Sequence, residues 1–89
     1  MKIDFSRLPC YIDIKKAGKR EMDIKYDFAN QMYLHGRNVS FGALAMKIYN
    51  SKGEEEYDET EVEGILEFAS NYPPILYDSI KDYIETNKK

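Results

Sequence analysis

The side chains with the chemistry for nucleophilic catalysis are one cysteine, Cys10, and one histidine, His35. Such catalysis needs a base held within hydrogen-bonding distance of the nucleophile, and nothing in the sequence brings these two residues together. Cys10 follows Pro9 at the edge of a predicted strand, where a cysteine is more often a small packed residue. The acidic residues lie on predicted solvent faces, with no apolar pocket to make one of them a general acid. We therefore predict no catalytic residue and no enzymatic activity.

An acidic run at residues 54–59 lies between two predicted helices, as the ligands of a calcium loop would. If Gly53 takes the glycine position of a twelve-residue calcium loop, Ile48 takes the first ligand position and Lys52 the fifth. Neither side chain can bind a cation, so this register fails. One cysteine and one histidine also exclude the common zinc sites and any two-cysteine redox motif. We predict no metal, no cofactor and no small-molecule substrate.

A cluster of basic residues indicates an anionic partner. Five cations lie at or just after the loop of a predicted hairpin: Lys15, Lys16, Lys19, Arg20 and Lys25. With Tyr11 and Tyr26 nearby, such a ribbon can contact phosphates and stack on bases, as nucleic-acid-binding proteins do. The same charges also keep a hairpin from pairing edge to edge with another sheet, so both interpretations stay open.

The chain has eight tyrosines and no tryptophan, which is many tyrosines for 89 residues. Most of them fill volume in a small core while the hydroxyl stays in water. The remainder are candidates for a protein interface, where tyrosine is enriched. We select Tyr57 in the acidic loop and Tyr77 and Tyr83 on the last predicted helix. A small helical core also gains stability from self-association, so a homodimer is a further expectation.

Charge is distributed unevenly along the chain. Residues 1–52 contain ten basic and five acidic side chains, whereas residues 53–89 contain three basic and eleven acidic ones. The two parts carry net charges of +5 and −8, which together give the net charge of −3. This asymmetry favours binding to charged partners, or attraction between the two parts within the fold, or two sets of charges that are simply solvated.

The elements that must position these residues begin with a β-hairpin at residues 10–24. Residues 10–14 and 21–24 alternate apolar and polar side chains, as half-buried strands do, and the polar loop between them contains Gly18. Four short helices follow in a helical portion at residues 24–86. We predict a mainly helical α+β fold in a single domain, 1–89, whose last residues, 86–89, fray.

Capping residues and apolar spacing define the four helices. Asp23 is the predicted cap of the first helix, which Gly36 ends in left-handed geometry. Asn38 or Ser40 caps the second helix, and Asp58 with Glu61 forms a capping box at the third. The predicted buried stripes, from the first helix to the fourth, are Ile24, Phe28 and Met32; Phe41, Leu44, Ala45, Ile48 and Tyr49; Val62, Ile65, Leu66, Ala69 and Tyr72; and Leu76, Tyr77, Ile80, Tyr83 and Ile84.

The composition, with 43% hydrophobic and 33% charged residues, is typical of a folded globular domain. No apolar run approaches the roughly 18 to 20 residues of a membrane-spanning helix. The first residues include Lys2, Asp4 and Arg7 where a signal peptide would have its apolar region. The single cysteine fits a reducing compartment. We therefore expect a cytoplasmic protein without membrane contact.

Three further segments of the chain are residues 22–25 (MDIK), 44–53 (LAMKIYNSKG) and 73–80 (PPILYDSI). They resemble small uncharacterised proteins carried by bacterial phages and integrated mobile elements. The resemblance covers about two thirds of the chain and implies a setting in which proteins act as accessory, assembly or host-interaction factors. No functional residue is carried over from it.

Together these observations predict a small non-catalytic protein-interaction or assembly factor, derived from a phage or mobile element. It would act by binding another protein or its own copy. The alternative is a nucleic-acid-associated regulator that uses the basic hairpin.

Overall fold

The computed structural model describes residues 1–87. Residues 88 and 89, which belong to the predicted fraying tail, lie outside the described part. Its elements, in chain order, are β1 (Lys2–Ile3), β2 (Leu8–Tyr11), β3 (Lys19–Met22), α1 (Lys25–His35), α2 (Val39–Tyr49), β4 (Glu55–Glu56), α3 (Glu59–Ala69) and α4 (Pro74–Asn87). The predicted mainly helical α+β fold with a hairpin near the amino terminus is confirmed.

The hairpin is present, but its strands begin two residues earlier in the chain than the sequence suggests. β2 and β3 pair antiparallel. The predicted strand at residues 10–14 is wrong beyond Tyr11, because Ile12 and Ile14 are 59% and 91% exposed. The buried side chains of this strand are Leu8 and Cys10 instead. α4 packs against β2, and the strand ends at Tyr11.

At the edge of β2 that faces away from β3, the hydrogen-bond partner of the backbone belongs to a helix rather than to a third strand. The amide of Tyr11 donates to the hydroxyl of Ser79 on α4, over 2.9 Å. Pro9 lies two residues earlier, so its nitrogen faces the same side, away from β3. The missing N–H of Pro9 therefore removes no hydrogen bond from the β2–β3 ladder.

A second, two-residue pairing that the sequence does not reveal connects the chain's start to the acidic loop. β1 pairs antiparallel with β4, with Ile3 opposite Glu55. The amino group of Met1 donates to the Glu56 carboxylate and to the carbonyl of Tyr57. The hydrogen bond to the amino group lowers the pKa of the Glu56 carboxyl. The acidic loop is thus partly a strand and is held by the amino terminus.

The helix caps follow the sequence at two of the three predicted positions. Asn38 caps α2 by accepting from the amide of Phe41, over 3.3 Å. At α3 the complete capping box is present: Asp58 accepts from the Glu61 amide, and the Glu61 side chain accepts from the Asp58 amide. At α1 the predicted cap is wrong, because Ile24 occupies the cap position.

Gly36 ends α1 as predicted, but not in left-handed geometry. Its φ of −65° and ψ of 144° are extended values that any residue adopts. The glycine is needed for space: a Cβ there would lie 2.5 Å from the Cβ of Phe41 and 2.6 Å from the carbonyl oxygen of Met32. The left-handed glycine is Gly53, whose φ is +103°.

One hydrophobic core joins both small sheets to the four described helices. Phe28 on α1 lies at its centre and contacts Phe5 and Phe68, with ring centroids 5.4 Å and 5.6 Å away. The helices α1 and α2 pack antiparallel, because Tyr26 in the first turn of α1 contacts Tyr49 at the end of α2. At the opposite end of the pair, Gly36 lies against Phe41.

Candidate functional site

The structure separates the two residues with potential for nucleophilic catalysis. Cys10 lies in β2 and is 3% exposed, and burial raises the pKa of its thiol. His35 is exposed at the end of α1 and lines a cavity that does not include Cys10. A buried thiol with a raised pKa is a weak nucleophile at neutral pH.

The cavity beside His35, of about 540 Å³, lies between α1, the start of α2 and the end of α3. Asp27, Arg37 and Glu67 also line it. Among residues 1–87, no side-chain hydrogen bond or ion pair joins these four charged or titratable groups to one another. The arrangement therefore lacks the base-to-orienting-group contact that an acid–base site uses.

The basic hairpin is exposed, and its cations differ in what they contact. Lys16 forms an ion pair with Asp78 on α4, with 3.2 Å between nitrogen and oxygen. The amino groups of Lys16 and Lys19 also lie over the Tyr11 ring, 5.4 Å and 5.0 Å from its centroid. Lys15 and Arg20 are exposed, with no ion pair within the described part of the chain. The structure thus brings Lys16 and Lys19 to the same ring, and the role of the four hairpin cations Lys15, Lys16, Lys19 and Arg20 in binding an anionic partner stays a prediction.

Lys25 belongs to a different part of the molecule from the hairpin tip. It is half-buried, and its amino group donates to the carbonyl of Ser51 over 2.8 Å. The same amino group lies 4.7 Å from the centroid of the Tyr26 ring. Lys25 therefore connects α1 to the loop that follows α2, and its place in the predicted cationic cluster is wrong.

The two tyrosines expected to stack on bases are both engaged within the protein. The hydroxyl of Tyr11 donates to Asp82 on α4, which raises the pKa of that hydroxyl, and two lysines lie over its ring. The ring of Tyr26 meets that of Tyr49 at a centroid distance of 5.1 Å. The Tyr11 ring therefore offers no free stacking platform next to the hairpin cations, and the Tyr26 ring, although 55% exposed, lies with Tyr49 on the α1–α2 pair.

Of the three tyrosines predicted to contact a partner, Tyr57 does not fit the prediction, which is therefore wrong at this residue. It is 1% exposed, meets Phe5 edge to face and has Lys47 over its ring, so it is a core residue. Burial raises the pKa of its hydroxyl. Tyr77 and Tyr83 are half-buried and pack against the core, and their role at an interface stays a prediction.

The tyrosines that the structure exposes lie on the α1–α2 pair instead. Tyr26, Tyr33 and Tyr49 are 55%, 60% and 48% exposed, and Val39 and Met46 of α2 are exposed as well. We call this surface the outer face and define it by six residues: Tyr26, Tyr33, Val39, Gly42, Met46 and Tyr49. The α2 members are spaced by three, four and three residues, which places them on one side of that helix.

The sequence of α2 contains a signal for the outer face besides its predicted buried stripe. The sequence of α2 is VSFGALAMKIY, in which Ser40 and Lys47 are the polar residues. Its buried side consists of Phe41, Leu44, Ala45 and Ile48, so its other side is apolar as well. A helix that is apolar all round is normally covered on all sides. In this structure, only one side of α2 is covered.

The outer face carries no charged side chain, although one residue in three of the chain is charged. At Gly42, an added Cβ would meet no atom within 4 Å, so the helix backbone is open to the surroundings there. Large neutral side chains around an open backbone position form a surface that another helix can approach closely.

The charge asymmetry of the chain is used partly inside the fold. Four ion pairs lie among residues 1–87, and three of them join the basic part to the acidic part: the Met1 amino group with Glu56, Lys16 with Asp78, and Lys47 with Glu61. Such surface pairs contribute roughly 0 to 1 kcal/mol each. Attraction between the two parts therefore accounts for some of the asymmetry.

Comparison of this chain with protein-family models, curated proteins and solved structures found no match. Between residues 1 and 87, the helices are too short or too polar to cross a membrane. The same residues contain no group of three histidine, cysteine or carboxylate side chains arranged to hold a metal ion. The functional inference therefore depends on the surfaces described above.

Proposed function

We propose that this protein is a small non-catalytic interaction factor that binds another protein through the outer face. The observation that carries the proposal is the exposure of the second apolar side of α2, where Val39 is 89% and Met46 47% exposed. Burying apolar surface stabilises a complex by roughly 25 cal/mol per Å² before the costs of association. A surface of this kind is typical of a protein interface.

The tyrosines of the outer face support the same conclusion. Tyrosine is enriched at interfaces because it supplies a large rigid contact area while its hydroxyl remains able to hydrogen-bond. Tyr26 and Tyr49 hold each other in place through their ring contact, so both begin in a defined orientation. These two rings therefore lose less side-chain entropy on binding than freely rotating rings would.

The setting that we propose is the cytoplasm of a bacterium, in a phage or mobile element, with a role in assembly or host interaction. The resemblance of residues 22–25, 44–53 and 73–80 to proteins of such elements supports the setting. The single cysteine supports a reducing compartment.

Capture from a nuclease-treated lysate of the native host tests the proposal. The immobilised wild type is compared with a Val39→Ser/Met46→Ser variant, which makes the outer face polar at two exposed positions. The matched control is Ile14→Ser, since Ile14 is 91% exposed but lies at the hairpin tip. We expect a protein retained by the wild type and by the control to be lost from the double variant. Equal retention by all three forms would contradict the proposal.

A second candidate function, binding of single-stranded nucleic acid by the hairpin, is favoured by the exposure of Lys15, Lys19 and Arg20. The engagement of Tyr11 within the protein leaves phosphate contact as the main source of affinity at the hairpin. Such binding should fall with salt at a log–log slope of about −0.7 for each phosphate contacted. Binding of an oligonucleotide that is insensitive to salt, or to replacement of these three cations by glutamine, would rule this function out.

A further inference from the structure

A groove between α2 and α3 combines an apolar floor with a border of carboxylates. Its volume is about 450 Å³, within the range of ligand-binding pockets. Among residues 1–87, the charged side chains that line it all belong to glutamates of α3, and no cation lines it. We call it the glutamate groove and define it by Glu61, Glu63 and Glu67 of α3 with Phe41, Ala43 and Leu44 of α2. We infer that the glutamate groove binds a basic amphipathic segment of another protein, in which lysine or arginine side chains flank apolar ones.

The floor of the glutamate groove is apolar and uncovered. Phe41 and Leu44 belong to the core and also line the groove, and Ala43 beside them is exposed. Across the groove, Gly64 of α3 has no side chain. A Cβ there would lie 3.3 Å from Leu44 Cδ2 and 3.8 Å from Phe41 Cε1, so any larger residue would cover both. The glycine therefore leaves apolar atoms of the floor open to the side chains of a partner.

The carboxylates of the groove are only partly neutralised within the described part of the chain. Lys47 forms an ion pair with Glu61, with 2.8 Å between nitrogen and oxygen. Glu63 and Glu67 are exposed and form no ion pair among residues 1–87, and Arg37, in the adjacent cavity that Glu67 also lines, pairs with neither. The two glutamates lie four residues apart on α3, where like charges repel each other. A cation bound between them would remove this repulsion.

The floor and the carboxylates together define the chemistry of the partner. Burial of apolar side chains against the floor supplies affinity, and complementary charge on either side supplies orientation and specificity. Three carboxylates repel the phosphates of nucleic acids and of anionic lipids. Binding of an amphipathic segment in a groove between helices is a common mode of peptide recognition. The glutamate groove shares no residue with the outer face, so the inference adds a second surface to the proposed function and does not depend on it.

Fluorescence anisotropy with a labelled peptide of known composition tests the inference. The probe is a fluorescein-labelled amphipathic peptide of leucine and lysine, and a second peptide has glutamine in place of every lysine. The first variant is Glu63→Gln/Glu67→Gln, which keeps the apolar floor. Its matched control is Glu54→Gln/Glu85→Gln, because these two glutamates are exposed outside the groove and their replacement changes the net charge equally.

A second pair of variants separates the glutamate groove from the outer face. Ala43→Lys places a cation in the groove, where it should repel a basic peptide. Met46→Lys places the same charge on the outer face of the same helix. Both positions are exposed, so both variants should fold, and circular dichroism with denaturant unfolding checks this for every form.

We expect the lysine peptide to bind the wild type more tightly than the glutamine peptide does. Its dissociation constant should rise by a factor of about three to ten in Glu63→Gln/Glu67→Gln and stay within about twofold in the matched control. It should rise by a factor of about ten in Ala43→Lys and stay within about twofold in Met46→Lys.

Four results would overturn the inference. Equal weakening by the two glutamine double variants would mean that only the net charge attracts the peptide. Equal affinity of the two peptides for the wild type would mean that the groove accepts neutral apolar ligands. Equal weakening by Ala43→Lys and Met46→Lys would place the peptide outside the groove. A wild type that dimerises in sedimentation equilibrium, and loses the dimer in Ala43→Lys but not in Met46→Lys, would assign the groove to a second copy of this chain.

Discussion

The rings of Tyr26 and Tyr49 meet edge to face, with centroids 5.1 Å apart and planes inclined by 70°. The contact joins the first turn of α1 to the last residue of α2, so it fixes the antiparallel packing of the two helices at one end. Both side chains are about half exposed, which is unusual for an aromatic pair that only fills a core. The pair therefore belongs to the surface that the α1–α2 pair presents to its surroundings.

A double-mutant cycle on this pair should show coupling in the free energy of unfolding. Tyr26→Ala and Tyr49→Ala each remove the same ring contact, so the double variant should lose about 0.5–1.5 kcal/mol less than the two single variants added together. Urea unfolding of the wild type and the three variants in dilute solution measures this coupling. Tyr33→Ala with Tyr49→Ala is the control: among the described residues these two rings do not meet, and their effects should add within about 0.5 kcal/mol.

Replacing glycine by alanine should have opposite effects at Gly36 and Gly42. A Cβ at Gly36 would lie 2.5 Å from the Cβ of Phe41, so Gly36→Ala should destabilise the fold by about 1–3 kcal/mol. A Cβ at Gly42 meets open space, so Gly42→Ala should stabilise the single chain by up to about 1 kcal/mol through helix propensity. Thermal unfolding of both variants in dilute solution compares them. The same sign at both positions would contradict this account.

Local signals in the sequence located the helices well. Asn38 and the Asp58–Glu61 capping box mark the starts of α2 and α3 correctly, because a cap forms within one turn and needs no distant partner. The predictions from the sequence are wrong where the structure depends on a segment that is distant in the chain. Ile12 and Ile14 continue the strand alternation of Cys10, but they follow Tyr11, the last residue of β2, and are exposed.

The candidate site shows the same division between local and distant effects. The exposure of the hairpin cations follows from a polar loop and was predicted. The burial of Tyr57 was not, because it depends on the pairing of β1 with β4, two segments more than fifty residues apart. The exposure of Tyr26 and Tyr49 likewise depends on which sides of α1 and α2 face the core. Tyr49 was predicted to be buried, and the apolar composition of both sides of α2 is the signal in the sequence that could have corrected that prediction.

Ser79 should stabilise the fold through the hydrogen bond that its hydroxyl forms with the edge of β2. Its hydroxyl is buried, accepts from the Tyr11 amide and donates to the carbonyl of Ile75 over 2.7 Å. Ser79→Ala leaves the Tyr11 amide without an acceptor, so the free energy of unfolding should fall by about 1–3 kcal/mol. Ser70→Ala is the control, because the exposed Ser70 hydroxyl bonds only to Glu67 in its own helix. A loss at Ser79 no larger than that at Ser70 would contradict the role of the hydroxyl at this edge.

Tyr72 should make the fold sensitive to alkaline pH. Its ring packs between Phe28 and Phe68, and its hydroxyl is buried without a hydrogen-bond partner among residues 1–87. Burial, with a further contribution from Asp27, raises the pKa of this hydroxyl from 10.0 to about 12. The unfolded chain therefore loses the proton at lower pH than the folded chain does, and stability falls as pH rises from 10 toward 12.

Tyr72→Phe removes both the ionisation and the unpaired hydroxyl. The variant should be at least as stable as the wild type at neutral pH, because an unpaired buried hydroxyl costs about 1–3 kcal/mol. It should also lose less stability than the wild type between pH 10 and 12, where the raised pKa acts. Urea unfolding at neutral pH and midway through that interval measures both effects. Tyr33→Phe, at a side chain that is 60% exposed, is the control at neutral pH and should match the wild type. A Tyr72→Phe variant that is less stable at neutral pH would mean that the hydroxyl has a bonding partner in the folded protein, and this account of Tyr72 would fail.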